Sequence, residues 1–116
     1  MPSARQRFGQ AAEERAVEFL RRKNFIIHGQ HLTSRFGEID ILAQDGQTMV
    51  AVEVKARRTA TFGRAIESLT PQKLERLAAA LHDVLDRRGW SDRPIRIDLV
   101  TVEPQGLDHL LGIGPG

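Results

Sequence analysis

Gly37-Glu38-Ile39-Asp40-Ile41-Leu42-Ala43, followed beyond Gln44-Asp45-Gly46-Gln47 by Met49-Val50-Ala51-Val52-Glu53-Val54-Lys55-Ala56-Arg57, decides the fold. Both runs alternate apolar with polar or small residues, the period-2 pattern of a β-strand. Asp-Gly between two such runs is a strong hairpin signal, because a type I′ turn needs φ > 0 at both central positions. With Asp45 and Gly46 as the loop, Gln44 faces Gln47, Asp40 faces Ala51 and Glu38 faces Glu53. One face then carries Ile39, Ile41, Val50, Val52 and Val54, and the other Glu38, Asp40, Ala51, Glu53, Lys55 and Arg57. Asp40 and Glu53 become diagonal neighbours, roughly 7–8 Å apart between backbones. Like charges this close weaken a hairpin unless a cation sits between them.

Outward from the hairpin, the chain reads as one α/β domain. Phe8, Ala12, Ala16, Phe19 and Leu20 recur at helical spacing, which predicts a helix over 5–23. Glu13 falls inside its apolar sector, where a carboxylate needs a cation, hydrogen bonds or an Arg partner at the edge of the stripe. A strand is expected over 25–32, and Thr33 to Gly37 form a turn into the hairpin. Gly63 interrupts the irregular stretch 58–69, within which 65–69 suits a short helical turn. A second helix begins at Thr70, a suitable N-cap, with Pro71 in its first turn and Gly89 at its exit. Its apolar stripe is Leu74, Leu77, Ala78, Leu81, Val84 and Leu85, with Lys73 and Arg76 on the exposed flank. The last strand is Ile95 to Val102. Residues 1–103 form the domain, and 104–116 read as a loosely held tail. The order helix, three strands, helix, strand suits a mixed sheet covered by helices.

The 116 residues suffice for one core. With 41% hydrophobic and 28% charged residues, the composition is that of a globular protein rather than a disordered or membrane-spanning one. The absence of cysteine rules out disulfides and thiolate metal sites and fits the cytoplasm, and no signal-like apolar stretch opens the chain. A net charge of +2 permits nucleic-acid binding without demanding it.

The chemistry available on the hairpin is that of hard oxygen ligands. Asp40 and Glu53 suit Mg²⁺, with the Val54 carbonyl as a third donor and Glu13 reaching in from the first helix. Lys55, two residues beyond Glu53, shares its face and can stabilise charge developing on a phosphate. A Glu-x-Lys pair on a strand is by itself commonly a solvated face; the Asp on the partner strand and the inward Glu on the helix set this one apart. His28, His31, His82 and His109 show no metal-ligand spacing, and His28 and His31 read as strand and loop residues.

Taken together, Ala12-Glu13-Glu14-x-Ala16, Arg35-x-Gly37-Glu38-Ile39-Asp40 and Val52-Glu53-Val54-Lys55-x-Arg57 resemble the YraN-type (UPF0102) family of small bacterial endonuclease-like proteins. That family looks like part of the PD-(D/E)xK superfamily, which includes archaeal Holliday-junction resolvases. The resemblance spans Phe8 to Val102 and implies a restriction-endonuclease-like αβββαβ core. It also implies Mg²⁺ or Mn²⁺ as cofactor, and catalytic roles for Glu13, Asp40, Glu53 and Lys55. Two departures stand out: Ala12 replaces a Gly before the helix Glu, and Ile39 replaces the Pro of the motif's name. The implied activity is hydrolysis of DNA phosphodiester bonds, on branched or damaged DNA, with Arg35, Arg57, Arg58, Arg64 and Lys73 touching the nucleic acid. Resolvase-like relatives pair to cut two strands, which implies a homodimer. Two other expectations compete: a nucleic-acid-binding module that keeps the fold without cutting, and a protein-interaction adaptor. Arg57 and Arg35 are also candidate partners for Glu38.

Overall fold

Ser3 and Gln6 set the start of the first helix. Ser3 Oγ accepts the Gln6 N–H, and the Gln6 side chain accepts the Ser3 N–H, so two free donors are satisfied reciprocally. Helix α1 runs Ala4–Arg22 and buries Ala12, Ala16, Val17 and Leu20. Asn24, at φ 67, turns the chain out of it. The computed structural model describes residues 2–58 and 68–114. Gly63, Arg64 and most of the helical turn expected at 65–69 lie outside the described residues.

Strands β1 (Ile26–Ser34), β2 (Gly37–Asp45) and β3 (Thr48–Ala56) follow, then helix α2 (Pro71–Arg87) and strands β4 (Ile95–Glu103) and β5 (Gly106–Leu110). They form one sheet in the order β1-β2-β3-β4-β5, parallel at β3–β4 and antiparallel elsewhere. The parallel pair requires a crossover, and α2 lies within it. The αβββαβ core expected from the element order is therefore present. Helix α2 starts as read: Thr70 Oγ1 accepts the Lys73 N–H, Pro71 occupies the first turn, and Gly89 at φ 75 follows its end.

The helices lie on opposite faces of the sheet. Ala16, Val17 and Leu20 of α1 pack with Ile41, Ala43, Val50, Val52 and Val100. Leu77, Leu81, Val84 and Leu85 of α2 pack with Ile39, Leu42, Met49, Ala51 and Ile97. Leu20 and Leu81 are completely buried, each stabilising the fold by roughly 1.5–3 kcal/mol.

Three expectations are corrected. The hairpin loop is Gly46-Gln47, with Asp45 paired to Thr48 and Gln44 to Met49. Gly46 alone takes a positive φ, of 61, as a type II′ turn requires. Asp45 stays in the strand, where its carboxylate meets Arg96 Nη1 at 2.9 Å. Second, Ile39 and Ile41 do not share a face: Ile39 packs under α2 and Ile41 under α1. Strict alternation fails between them, at Asp40.

Third, residues 104–114 are not a loose tail. Strand β5 pairs with β4, and Ile113 N–H donates to Ile97 O at 2.9 Å. The anchor is Asp98, which is completely buried. Its carboxylate accepts from Arg96 Nε at 2.8 Å, Arg96 Nη2 at 3.0 Å, His109 Nε2 at 2.9 Å and the Gly112 N–H at 3.0 Å. Burial alone would push the Asp98 pKa up; the donors from His109, Arg96 and Gly112 outweigh it and hold the group below its ordinary value. A depressed carboxylate stabilises the fold at neutral pH, and that contribution disappears as pH falls through the folded-state pKa. Asp98→Asn should cost about 3 kcal/mol in urea unfolding at pH 7, and amide exchange at Leu107–Leu110 should quicken.

Candidate active site

Asp40 stands where β2 and β3 part. Their ladder ends at Ile41–Val52, and one more step of the same register would set Asp40 against Glu53. Instead the Asp40 side chain spans the gap, its Oδ2 accepting the Val54 N–H at 3.0 Å. The carboxylate thereby replaces a ladder acceptor and is reached from both sides of the sheet. Compared with the diagonal arrangement expected from an Asp45-Gly46 loop, the two-residue shift in register brings Asp40 and Glu53 closer.

On the α1 side, Glu13 points inward with its side chain 15% exposed. Its Oε2 lies 2.9 Å from His31 Nε2, while its Oε1 is buried without a partner among the described residues. Burial raises the Glu13 pKa, opposed by His31 and reinforced by the charges of Asp40 and Glu38. His31 Nδ1 is 2.9 Å from Glu38 Oε1. The hydrogen bond to Glu38 raises the His31 pKa against a smaller opposing effect of burial. The Glu13, His31 and Asp40 donor atoms all lie within 4.8 Å of one another. Reading β1 from sequence missed His31 because strand alternation says nothing about its φ of 51, a value uncommon for a residue with a Cβ.

On the α2 side, Glu53 and Lys55 project into a cleft of about 310 Å³, also lined by Phe36, Glu38, Lys73 and Arg76. Lys55 Nζ is 3.8 Å from Glu53 Oε1. Burial, then the hydrogen bond and like charge of Asp40, push the Glu53 pKa up to about 8 against the pull of Lys55 and Lys73. Lys73 Nζ donates to Ser68 O at 3.1 Å, tethering it at the rim. Arg76, an exposed helix flank in the sequence, lines the same cleft.

The other basic candidates are placed differently. Arg35 lies over the Phe36 ring, its guanidinium carbon 4.9 Å from the centroid, at the β1–β2 turn. Arg58 covers Phe8 of α1 at 4.4 Å. The Arg57 N–H donates to Val102 O, and its Nε is buried without a partner among the described residues. Glu38 takes His31 as its partner, rather than Arg35 or Arg57.

Comparison with known proteins covers this whole cluster. The model of the uncharacterised protein family UPF0102 matches residues 12–102. The chain belongs to that family. Its UPF0102 relatives include a protein of Symbiobacterium thermophilum, 43% identical over 84% of this chain and 83% of the relative. One from Renibacterium salmoninarum is 40% identical over 91% and 94%, and one from Nitrosococcus oceani 34% identical over 95% and 90%. The UPF0102 match runs from Ala12, beside Glu13, to Val102, and stops short of β5. Among the described residues, no helix is long and apolar enough to cross a membrane.

The UPF0102 site fits a divalent cation by its chemistry. Its donors are carboxylate oxygens, which Mg²⁺ and Mn²⁺ prefer. One of them, Glu13 Oε1, is buried with no partner among the described residues, and burial, reinforced by the neighbouring Asp40 carboxylate, keeps a proton on Glu53 to about pH 8. In the unfolded chain Glu53 ionises near 4.5. Raising the pH through this window therefore withdraws stability from the metal-free fold. In EDTA, melting temperature should decline between pH 5 and pH 8, and Glu53→Gln should flatten that decline and raise the pH 8 melting temperature by roughly 5 °C.

Proposed function

We propose that this UPF0102 protein is a divalent-metal-dependent endonuclease that hydrolyses DNA phosphodiester bonds, with branched or damaged DNA as its substrate class. The observation that carries this reading is the Asp40 carboxylate, held by the Val54 N–H where β2 and β3 part, with Glu53 and Lys55 beside each other on a cleft rimmed by Lys73 and Arg76. Two carboxylates alone repel a phosphate; two carboxylates that share a cation, with an ammonium beside them, attract one.

Asp40 and Glu53 would hold the ion, with the Val54 carbonyl as a further oxygen donor; Glu13 stands with His31 on the α1 side of Asp40. When bound, a divalent cation polarises a phosphoryl oxygen and lowers the pKa of bound water. The remaining work falls to the chain. Water adds to phosphorus while the bond to the leaving oxygen breaks. Lys55 Nζ donates a hydrogen bond to the phosphoryl oxygen, where negative charge grows. Asp40 stays fixed because the Val54 N–H holds its Oδ2, so little side-chain freedom is lost on reaching the reactive arrangement. Lys73 and Arg76 hold flanking phosphates, a sequence-independent grip that weakens with salt. Phe36, exposed at the turn with Arg35 over its ring, offers a surface on which an unpaired base stacks.

Incubation of plasmid and branched DNA with Mg²⁺ or Mn²⁺ should give cleavage that falls by at least about 100-fold in Asp40→Asn and in Lys55→Met. Nicking of equal rate by wild type and Asp40→Ala would assign the activity to a contaminant and sink the reading. Salt-dependent DNA binding with no cleavage under any of these conditions would identify a binding module instead. Lys73→Ala should weaken binding across all DNA sequences and reduce the slope of log affinity against log salt by about one.

A further inference from the structure

The geometry points to a second cation position on the α1 side of Asp40, formed by Glu13, His31 and Asp40, that takes a first-row transition ion in preference to Mg²⁺. It is set apart from the Asp40–Glu53 pair by its nitrogen donor and does not depend on DNA cleavage.

Four observations converge on it. The three donor atoms lie within 4.8 Å of one another. His31 Nε2 and Glu13 Oε2 are 2.9 Å apart, the spacing of two adjacent ligands at right angles with bonds of about 2.1 Å. Glu13 Oε1 is buried with no partner among the described residues, leaving a further donor for an ion. The fourth lies behind the ring: His31 Nδ1 meets Glu38 Oε1 at 2.9 Å. A carboxylate on the far nitrogen fixes the tautomer that presents Nε2 to a metal and increases its basicity. An ion bound here replaces any proton shared by Nε2 and Glu13, which is released to solvent.

Backbone strain supports the same assignment. His31 adopts φ 51, a costly conformation within a strand, and the register places it between Gln30, paired to Ile41, and Leu32, paired to Ile39. It therefore sits across from Asp40, at the point where β2 loses its alternation. A half-exposed strand residue gains nothing by packing there; a residue that must aim a ring nitrogen at Glu13 and Asp40 does. Carboxylates serve Mg²⁺ and Mn²⁺ alike, whereas imidazole favours the transition ion.

Mn²⁺ alone, added to the full chain without DNA, tests this. Pulsed electron paramagnetic resonance of the wild type should show ¹⁴N coupling from a directly bound imidazole, persisting in excess Mg²⁺. His31→Asn should remove the coupling and weaken Mn²⁺ binding by at least about tenfold, and Glu38→Gln should weaken it by about tenfold. Glu53→Gln should keep the coupling, because Glu53 belongs to the other side of Asp40. If His31→Asn does not fold, substoichiometric Mn²⁺ should still broaden the His31 ring signals of the wild type before those of His28, His82 and His109. Bound Mn²⁺ without nitrogen coupling, or coupling unchanged in His31→Asn, would overturn the assignment. Because no step requires DNA, a protein that binds Mn²⁺ through His31 but never cuts would refute the nuclease reading alone.

Discussion

The hydrogen bond from the Val54 N–H to Asp40 Oδ2 is the contact around which the site is built. Two neighbouring strands cannot separate inside a sheet without leaving backbone donors and acceptors unpaired, at a cost of about 1–3 kcal/mol for each buried group. Asp40 offsets that cost by supplying an acceptor from its side chain. The gap can then stay open, and the carboxylate that bridges it becomes accessible from both faces. Glu13 and His31 approach from one side, Glu53 and Lys55 from the other.

Two packed cores hold this opening in place. Helix α1 seals one face through Leu20 against Val52 and Val100, and helix α2 seals the other through Leu81 against Leu42 and Ile97. Beside Asp40 the two helices present polar groups, Glu13 from α1 and Lys73 from α2. Toward the β4–β5 edge of the sheet the buried Asp98 carboxylate is fully paired by Arg96, His109 and Gly112, and it ties β5 to β4. The contrast is informative. The Asp98 carboxylate has four donors and stays ionised, so it reads as a structural anchor. Asp40 and Glu53 have too few donors for two negative charges, so they retain a proton or take up a cation.

The membership in UPF0102 gives these features a family setting without assigning an activity, since the relatives share the family description alone. What separates an acid-rich surface from a site here is placement. Asp40 is held by the backbone, Glu13 carries a buried oxygen without a partner among the described residues, and Glu38 backs His31 rather than facing solvent freely.

Sequence alone determined the elements. Period-2 alternation in Ile39–Val54, the 3.6-residue stripe in Leu74–Leu85, and the caps at Thr70 and Gly89 are local signals, and each element formed where its pattern lay. Glu53 and Lys55 were legible because strand parity survives a register shift of two residues, and Glu13 because it falls inside the apolar stripe of α1; Asp40 stands where the alternation fails, so its place in the sequence was legible and its facing was not. Tertiary structure decided the rest. Whether Asp45 or Gln47 completes the hairpin loop depends on Arg96, a residue distant in sequence that holds Asp45 in its strand. Leu107 to Leu110 carries too weak an apolar pattern to announce a strand; its order comes from Asp98 gripping His109 and Gly112. His31 joined the site through a positive φ and a carboxylate on each ring nitrogen. Hydrophobic periodicity records which side of an element is buried, but it carries no information about which polar groups from separate elements meet.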